Sequence, residues 1–241
     1  MSTRTIGRIV GALFLLAFVV YIAGGALAGA EPQATDTLST VADDQTRLSV
    51  GALLMLVNSA VVIGIGVLTL PVLRPHGEIS AYAYLAGRTV EAVVLAVGIV
   101  FLLLLGPLAQ EYVHATGDTS VLSALGRIAK EGNRYCYQIA MISAGVVGML
   151  FCRVLFRARL VPRFMAVWGL VGYAVFLAGM ILDVLGYGVG VFLAVPGGLF
   201  EVALGALLIV KGFATGQGRD RDGLAGDPPP TATASLAPHI A

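Results

Sequence analysis

The sequence predicts an all-α fold, a polytopic bundle of six transmembrane helices with both termini cytoplasmic. Three observations carry this. Of the 241 residues, 58 % are hydrophobic and 12 % charged, giving a mean hydropathy of +0.90. That is about half the charge of a soluble domain and too little polar surface to cover one. Six continuous apolar runs each reach the length of about 20 residues that a bilayer requires. Those runs do not alternate, which excludes a strand barrel. Net charge is +1, so no global field points to nucleic acid. The partner the composition requires is the lipid bilayer, and the location expected is the cell (inner) membrane.

The spans are expected at Ile6–Ala28, Leu48–Leu73, Ala81–Leu105, Tyr135–Phe156, Met165–Leu185 and Val189–Phe213. The first, with Arg4 and Arg8 before it and Ala28-Gly29-Ala30 after it, imitates a secretory signal. No charged residue falls between Ile9 and Ala30, however, which is longer than a signal's apolar region of about 7–15 residues. It is expected to be retained. Orientation follows from the basic residues. With the N-terminus inside, Arg4, Arg8, Arg74, Arg153, Arg157, Arg159, Arg163, Lys211, Arg219 and Arg221 are cytoplasmic. Arg47, Arg127, Lys130 and Arg134 are outside. Tyr82, Tyr84 and Trp168 are expected as anchors at the inner boundary, and Tyr112, Tyr135 and Tyr187 at the outer one.

Between the spans, Leu38, Val41, Gln45 and Leu48 recur at helical spacing, as do Val121, Leu122, Leu125, Ile128 and Ala129. The second stretch could lie flat on the membrane or cap the bundle. Gly186-Tyr187-Gly188-Val189-Gly190 reads as a tight hairpin between spans five and six. Residues 1–213 thus form the transmembrane domain. Residues 214–241, with Pro228-Pro229-Pro230 and few aromatic residues, are expected as a disordered cytoplasmic tail. The cysteines, Cys136 and Cys152, stand about 24 Å apart along one helix and cannot form a disulfide. Gly7-x-x-x-Gly11 and Gly25-x-x-x-Gly29 are expected to bring the first span close to a neighbour, within the chain or in a second protomer.

Chemistry, if any, resides in the polar residues at mid-depth. Arg88 and Glu91 lie about 12 and 16 Å into the third span. Glu201 lies about 15 Å into the sixth, and Asn58 about 15 Å into the second. Each buried charge costs about 2.5–3.5 kcal/mol on the insertion scale, whereas the apolar residues of the third span return about 4–8 kcal/mol. That span is near break-even alone, so Arg88 and Glu91 should be paired and turned toward other helices. They share a helix face as i and i+3, although Arg before Glu is the poorer order. Arg88 is therefore expected to reach Glu201 across the bundle, with Asn58 supplying an amide. All three ionised, the cluster carries −1, so one glutamate should hold a proton or face a cation or water.

Pro196-Gly197-Gly198, just before Glu201, predicts a kinked or broken sixth span, as found at transporter substrate sites. The segments 91–100 and 201–210 echo each other weakly, as an inverted three-plus-three repeat would. Asp183 reads as a solvated acid at a helix end. No nucleophile, metal-helix, Walker or dinucleotide motif occurs, and His76, His114 and His239 are too dispersed for one metal. No catalytic residue, cofactor or metal is expected, and an enzyme is disfavoured. Two roles remain: binding or moving a small solute or proton through Arg88, Glu91, Glu201 and Asn58, or a non-transporting scaffold or regulator in which that cluster is only a polar lock.

Three motifs give the chain a likeness. They are Arg88-x-x-Glu91, the run Arg157-x-Arg159-Leu160-Val161-Pro162-Arg163 leading to Trp168-Gly169-Leu170-Val171-Gly172-Tyr173, and Phe200-Glu201-Val202-Ala203-Leu204-Gly205 through Lys211-Gly212-Phe213. Over most of residues 6–213 the sequence resembles a bacterial membrane family known as domain of unknown function 4386. The resemblance implies a six-helix membrane domain to which Arg88, Glu91 and Glu201 belong, and it implies no activity, substrate or cofactor.

Overall fold

A computed structural model describes residues 1–29 and 37–214. The expected tail lies, apart from Ala214, outside the described residues. Among these there are helices and no strands: α1 (Thr3–Ala28), α2 (Thr37–Asp43), α3 (Gln45–Leu73), α4 (Glu78–Leu103), α5 (Leu105–His114), α6 (Ser120–Ala158), α7 (Arg163–Val184) and α8 (Gly190–Lys211). Six segments are long and apolar enough to cross a membrane: α1, α3, α4 with α5, α6, α7 and α8. Outward-facing Val19, Leu53, Val93 and Val210 are more than half exposed. Apolar surface left bare in this way is a lipid-facing wall.

The order of packing is the main architectural fact. Each spanning helix packs on the next, α1 on α3, α3 on α4, α4 on α6, α6 on α7 and α7 on α8, and α8 returns to α1. The result is a closed ring of six, in which α4 stands opposite α8 and α1 opposite α6. Small residues set the seams, because lipid tails offer no hydrophobic drive between helices and close van der Waals contact must substitute. A Cβ on Gly11 would sit 2.5 Å from the Gly205 carbonyl oxygen, and one on Gly7 would sit 2.5 Å from the Phe213 nitrogen. Gly25 and Gly29, by contrast, have no atom within 4 Å of such a Cβ. Among the described residues the second small-residue pair is therefore not a packing face within the chain; Gly24 is, against Gly51 and Met55 on α3.

That α1–α3 seam supplies a test. A Cβ on Gly51 would lie 2.5 Å from the Ala28 nitrogen and 2.6 Å from the Gly24 oxygen, both backbone atoms that cannot rotate away. Gly51→Ala is expected to cost about 1–2 kcal/mol by overpacking, read as a lowered unfolding midpoint in mild detergent.

The breaks between helices have local causes. Pro107 has no N–H for the carbonyl of Leu103, and α4 ends there. Asp44 separates α2 from α3 and accepts the Arg47 N–H at 2.9 Å. Before α6, Asp118 accepts the Ser120 N–H and the Ser120 hydroxyl, each at 2.9 Å, and these bonds hold its carboxyl below the ordinary range. Helix α6 has 39 residues, about 58 Å, nearly twice the hydrocarbon thickness of about 30 Å. Val121–Ala129 is thus neither a separate surface helix nor a detached cap. It continues span four, which begins 15 residues before the expected Tyr135. With α2 and α5 it encloses a second apolar cluster that includes Leu38, Val41, Leu48, Leu102, Leu105 and Ala129.

Two further expectations change. Tyr84 is buried in the main core, stacked on Phe151 at 4.9 Å, and is not a boundary anchor; Tyr82 and Trp168 are exposed, as anchors require. Asp183 is half-buried and bonded twice, accepting Gln138 Nε2 at 2.8 Å and the Gly190 N–H at 3.2 Å. It fastens the α7–α8 hairpin to α6. That hairpin turns through Gly186 and Gly188 at φ 92° and 64°, values that glycine adopts without strain.

Candidate functional site

A partly open cavity of about 190 Å³ lies inside the ring, and every spanning helix contributes to its wall. Arg88 and Glu91 come from α4, Asn58 from α3, Glu201 from α8, Tyr21 from α1, Tyr137 from α6 and Tyr173 from α7. All four sequence-predicted polar residues therefore face one space. Their depth agrees, since Glu201 is near the midpoint of α8 and Arg88 is ten residues from the start of α4.

The α4 wall is held by α6. Ser143 donates to the Gly87 carbonyl at 3.1 Å and Asn133 to the Gly98 carbonyl at 2.9 Å. These bonds fix the rotation of α4, so Arg88 and Glu91, spaced i and i+3, both turn inward. Each is about 5 % exposed. Arg88 Nη1 stands 2.9 Å from Glu91 Oε2, but the N–H is poorly aligned. Arg88 Nε and Glu91 Oε2 are left without a hydrogen-bond partner. This is the geometric form of the unfavourable Arg-before-Glu order. The Phe14 ring lies 5.9 Å from the Arg88 guanidinium carbon, a cation–π contact from α1.

Glu201 behaves differently from the expectation. Among the described residues it forms no ion pair with Arg88; its partner is the Tyr173 hydroxyl, which donates to Oε1. Glycines bring α7 and α8 close enough for this, with a Cβ on Gly172 meeting Gly197 Cα at 3.3 Å. The neighbouring helix thus offers its donor at shorter range than the helix across the ring. Helix α8 also runs unbroken from Gly190 to Lys211 with Pro196 inside it, so the expected break in span six is absent. Asn58 is buried and lines the cavity, yet no hydrogen bond joins it to Arg88, Glu91 or Glu201.

Sequence reading missed the tyrosines. Tyr21 and Tyr137, on opposite helices, stack at 5.8 Å across the ring, and Tyr173 holds Glu201. The signal was present: a phenol at mid-span must find a partner when its helix is buried in hydrocarbon. Tyr173→Phe is expected to cost about 2 kcal/mol, the range for a hydrogen bond to a charged group. Thermal unfolding in detergent reads it, and an unchanged midpoint means that water replaces the hydroxyl.

Six apolar spans around one polar cavity define a multi-pass integral membrane protein. The family described as a domain of unknown function (DUF4386) matches residues 9–212, and the chain belongs to it. No curated protein and no solved structure matches the chain.

Proposed function

We propose that the protein binds or moves a small solute or a proton through the cavity bounded by Arg88, Glu91, Glu201 and Asn58, in the cell (inner) membrane with both termini cytoplasmic. One observation carries this reading: all six spans turn a wall toward the same mid-depth space, and the polar residues sit there and not at lipid. A lock that only fixes helix pairing needs contact between polar groups and leaves no space. Here the cluster surrounds a space, with Arg88 Nε and Glu91 Oε2 unsatisfied beside it. The charge count supports an occupant as well, since Arg88 and Glu91 offset each other and Glu201 adds one negative charge. A proton, a cation or water must answer that charge at mid-membrane.

The competing reading, a scaffold with a polar lock, draws on the Tyr173–Glu201 bond, which ties α7 to α8. Water access separates the two. In a chain with Cys136 and Cys152 replaced by alanine, Met141→Cys places a thiol on the cavity wall. Thiolate forms only where water reaches, so a small neutral thiol reagent should label this position in membranes under the solute reading. Complete protection supports the lock and overturns it.

A further inference from the structure

We propose that the cavity takes a small monovalent organic cation of the alkylammonium class, with Glu201 as its counter-charge and aromatic faces as its walls. This rests on the reading of the cavity as a solute site and names the solute's chemistry.

Size comes first. At about 190 Å³ the space exceeds the 150 Å³ engineered cavity that holds benzene and equals the liquid volume of about six waters. The occupant therefore has about five to eight heavy atoms. Charge comes second. Arg88 is already 2.9 Å from Glu91, so that pair contributes no net field at a distance. Glu201, on the opposite side of the ring, accepts from a neutral phenol, a partner that brings no positive charge to balance its carboxylate. With Glu201 ionised the cavity carries one uncompensated negative charge, which repels a free anion and is balanced by a cation but not by a neutral solute.

The wall chemistry decides among cations. Phe14, Phe18, Tyr21, Tyr137, Tyr173 and Phe176 line the space. Ring faces attract cations electrostatically, most strongly when the cation carries little water. Phe14 already does this for the Arg88 guanidinium. A hard metal cation needs six or more oxygen ligands, and among the described residues no group of three or more His, Cys, Asp or Glu could hold one. An alkylated ammonium sheds its weak hydration readily and has no need of a complete oxygen shell. One uncompensated carboxylate in a wall that also carries aromatic rings fits it, and does not fit sodium or magnesium.

The test is calorimetric titration of the full-length protein in lipid nanodiscs with tetramethylammonium chloride, against tert-butanol as a neutral molecule of equal shape and against sodium chloride and sodium acetate. Saturable binding is expected for tetramethylammonium alone. Glu201→Gln should weaken it at least tenfold. Tyr137→Leu, which removes a ring but no charge, should weaken it about threefold to fivefold, while Tyr137→Phe should leave it nearly unchanged. If Glu201→Gln fails to fold, the Tyr137 pair decides. Equal binding of tert-butanol, no binding of tetramethylammonium, or indifference to both Glu201→Gln and Tyr137→Leu overturns the proposal. Labelling at Met141→Cys keeps the two claims apart. A labelled cavity that ignores tetramethylammonium removes the cation and leaves the solute site, whereas a protected one removes both.

Discussion

Arg88→Met is expected to destabilise the bundle by about 3–5 kcal/mol, the usual cost of removing one partner of a buried ion pair. Arg88 and Glu91 are about 5 % exposed and 2.9 Å apart. Deleting the guanidinium strands a carboxylate among Leu95, Val62 and aromatic rings. Protonation of Glu91 caps the loss but does not cancel it, because the acid gives up its ion pair with the guanidinium. The double variant Arg88→Met with Glu91→Met should recover most of the stability, since apolar side chains of similar volume often match or exceed a buried pair. Arg88→Lys should fall between, a point charge being a poorer partner for Glu91 and for the Phe14 face. Unfolding midpoints of wild type, both single variants and the double variant in one detergent close the cycle. If the single and double losses simply add, the two residues are not coupled and the i,i+3 pair has no energetic meaning.

How much of this was written in the chain depends on which coordinate is asked about. Depth along a helix is a matter of counting, so the mid-helix placement of Arg88, Glu91, Glu201 and Asn58 can be read from their distance to the span ends. Facing is nearly as legible, because a helix carrying Arg88 and Glu91 is unstable unless both turn inward. Partner choice is not legible. It depends on the order of helices around the ring and on their rotation, which hydropathy does not encode. Depth and facing alone therefore predict that Arg88 reaches Glu201, whereas α8 lies opposite α4 and α7 places the Tyr173 hydroxyl against Glu201. The extent of α6 was hidden for another reason. Arg127, Lys130 and Arg134 lower its hydropathy and so end the apolar run in the sequence, but backbone hydrogen bonding does not depend on side-chain hydropathy and the helix continues through them. Pro196 does not break α8, because a proline-freed carbonyl can be tolerated within a tightly packed membrane helix, and α8 is packed through Gly197 against Gly172.

The second large effect concerns ring closure. Gly11→Leu is expected to cost about 3 kcal/mol or more, at the upper end of overpacking. Its Cβ would come within 2.5 Å of the Gly205 carbonyl oxygen and 3.0 Å of the Ile209 nitrogen, so α1 and α8 must separate. Gly25→Leu is the matched control on the same helix: nothing lies within 4 Å of its Cβ, and its effect should stay within about 0.5 kcal/mol. The comparison cancels helix propensity, because glycine becomes leucine in both. It also reaches the cavity, since Phe14 and Phe18 on α1 and Gly198 and Glu201 on α8 form adjoining parts of its wall. Gly11→Leu should therefore raise thiol labelling at Met141→Cys as well as lower the unfolding midpoint, while Gly25→Leu should change neither. Equal tolerance at both positions would mean that α1 and α8 do not meet in the membrane, and a cavity without that seam cannot hold Glu201 away from lipid.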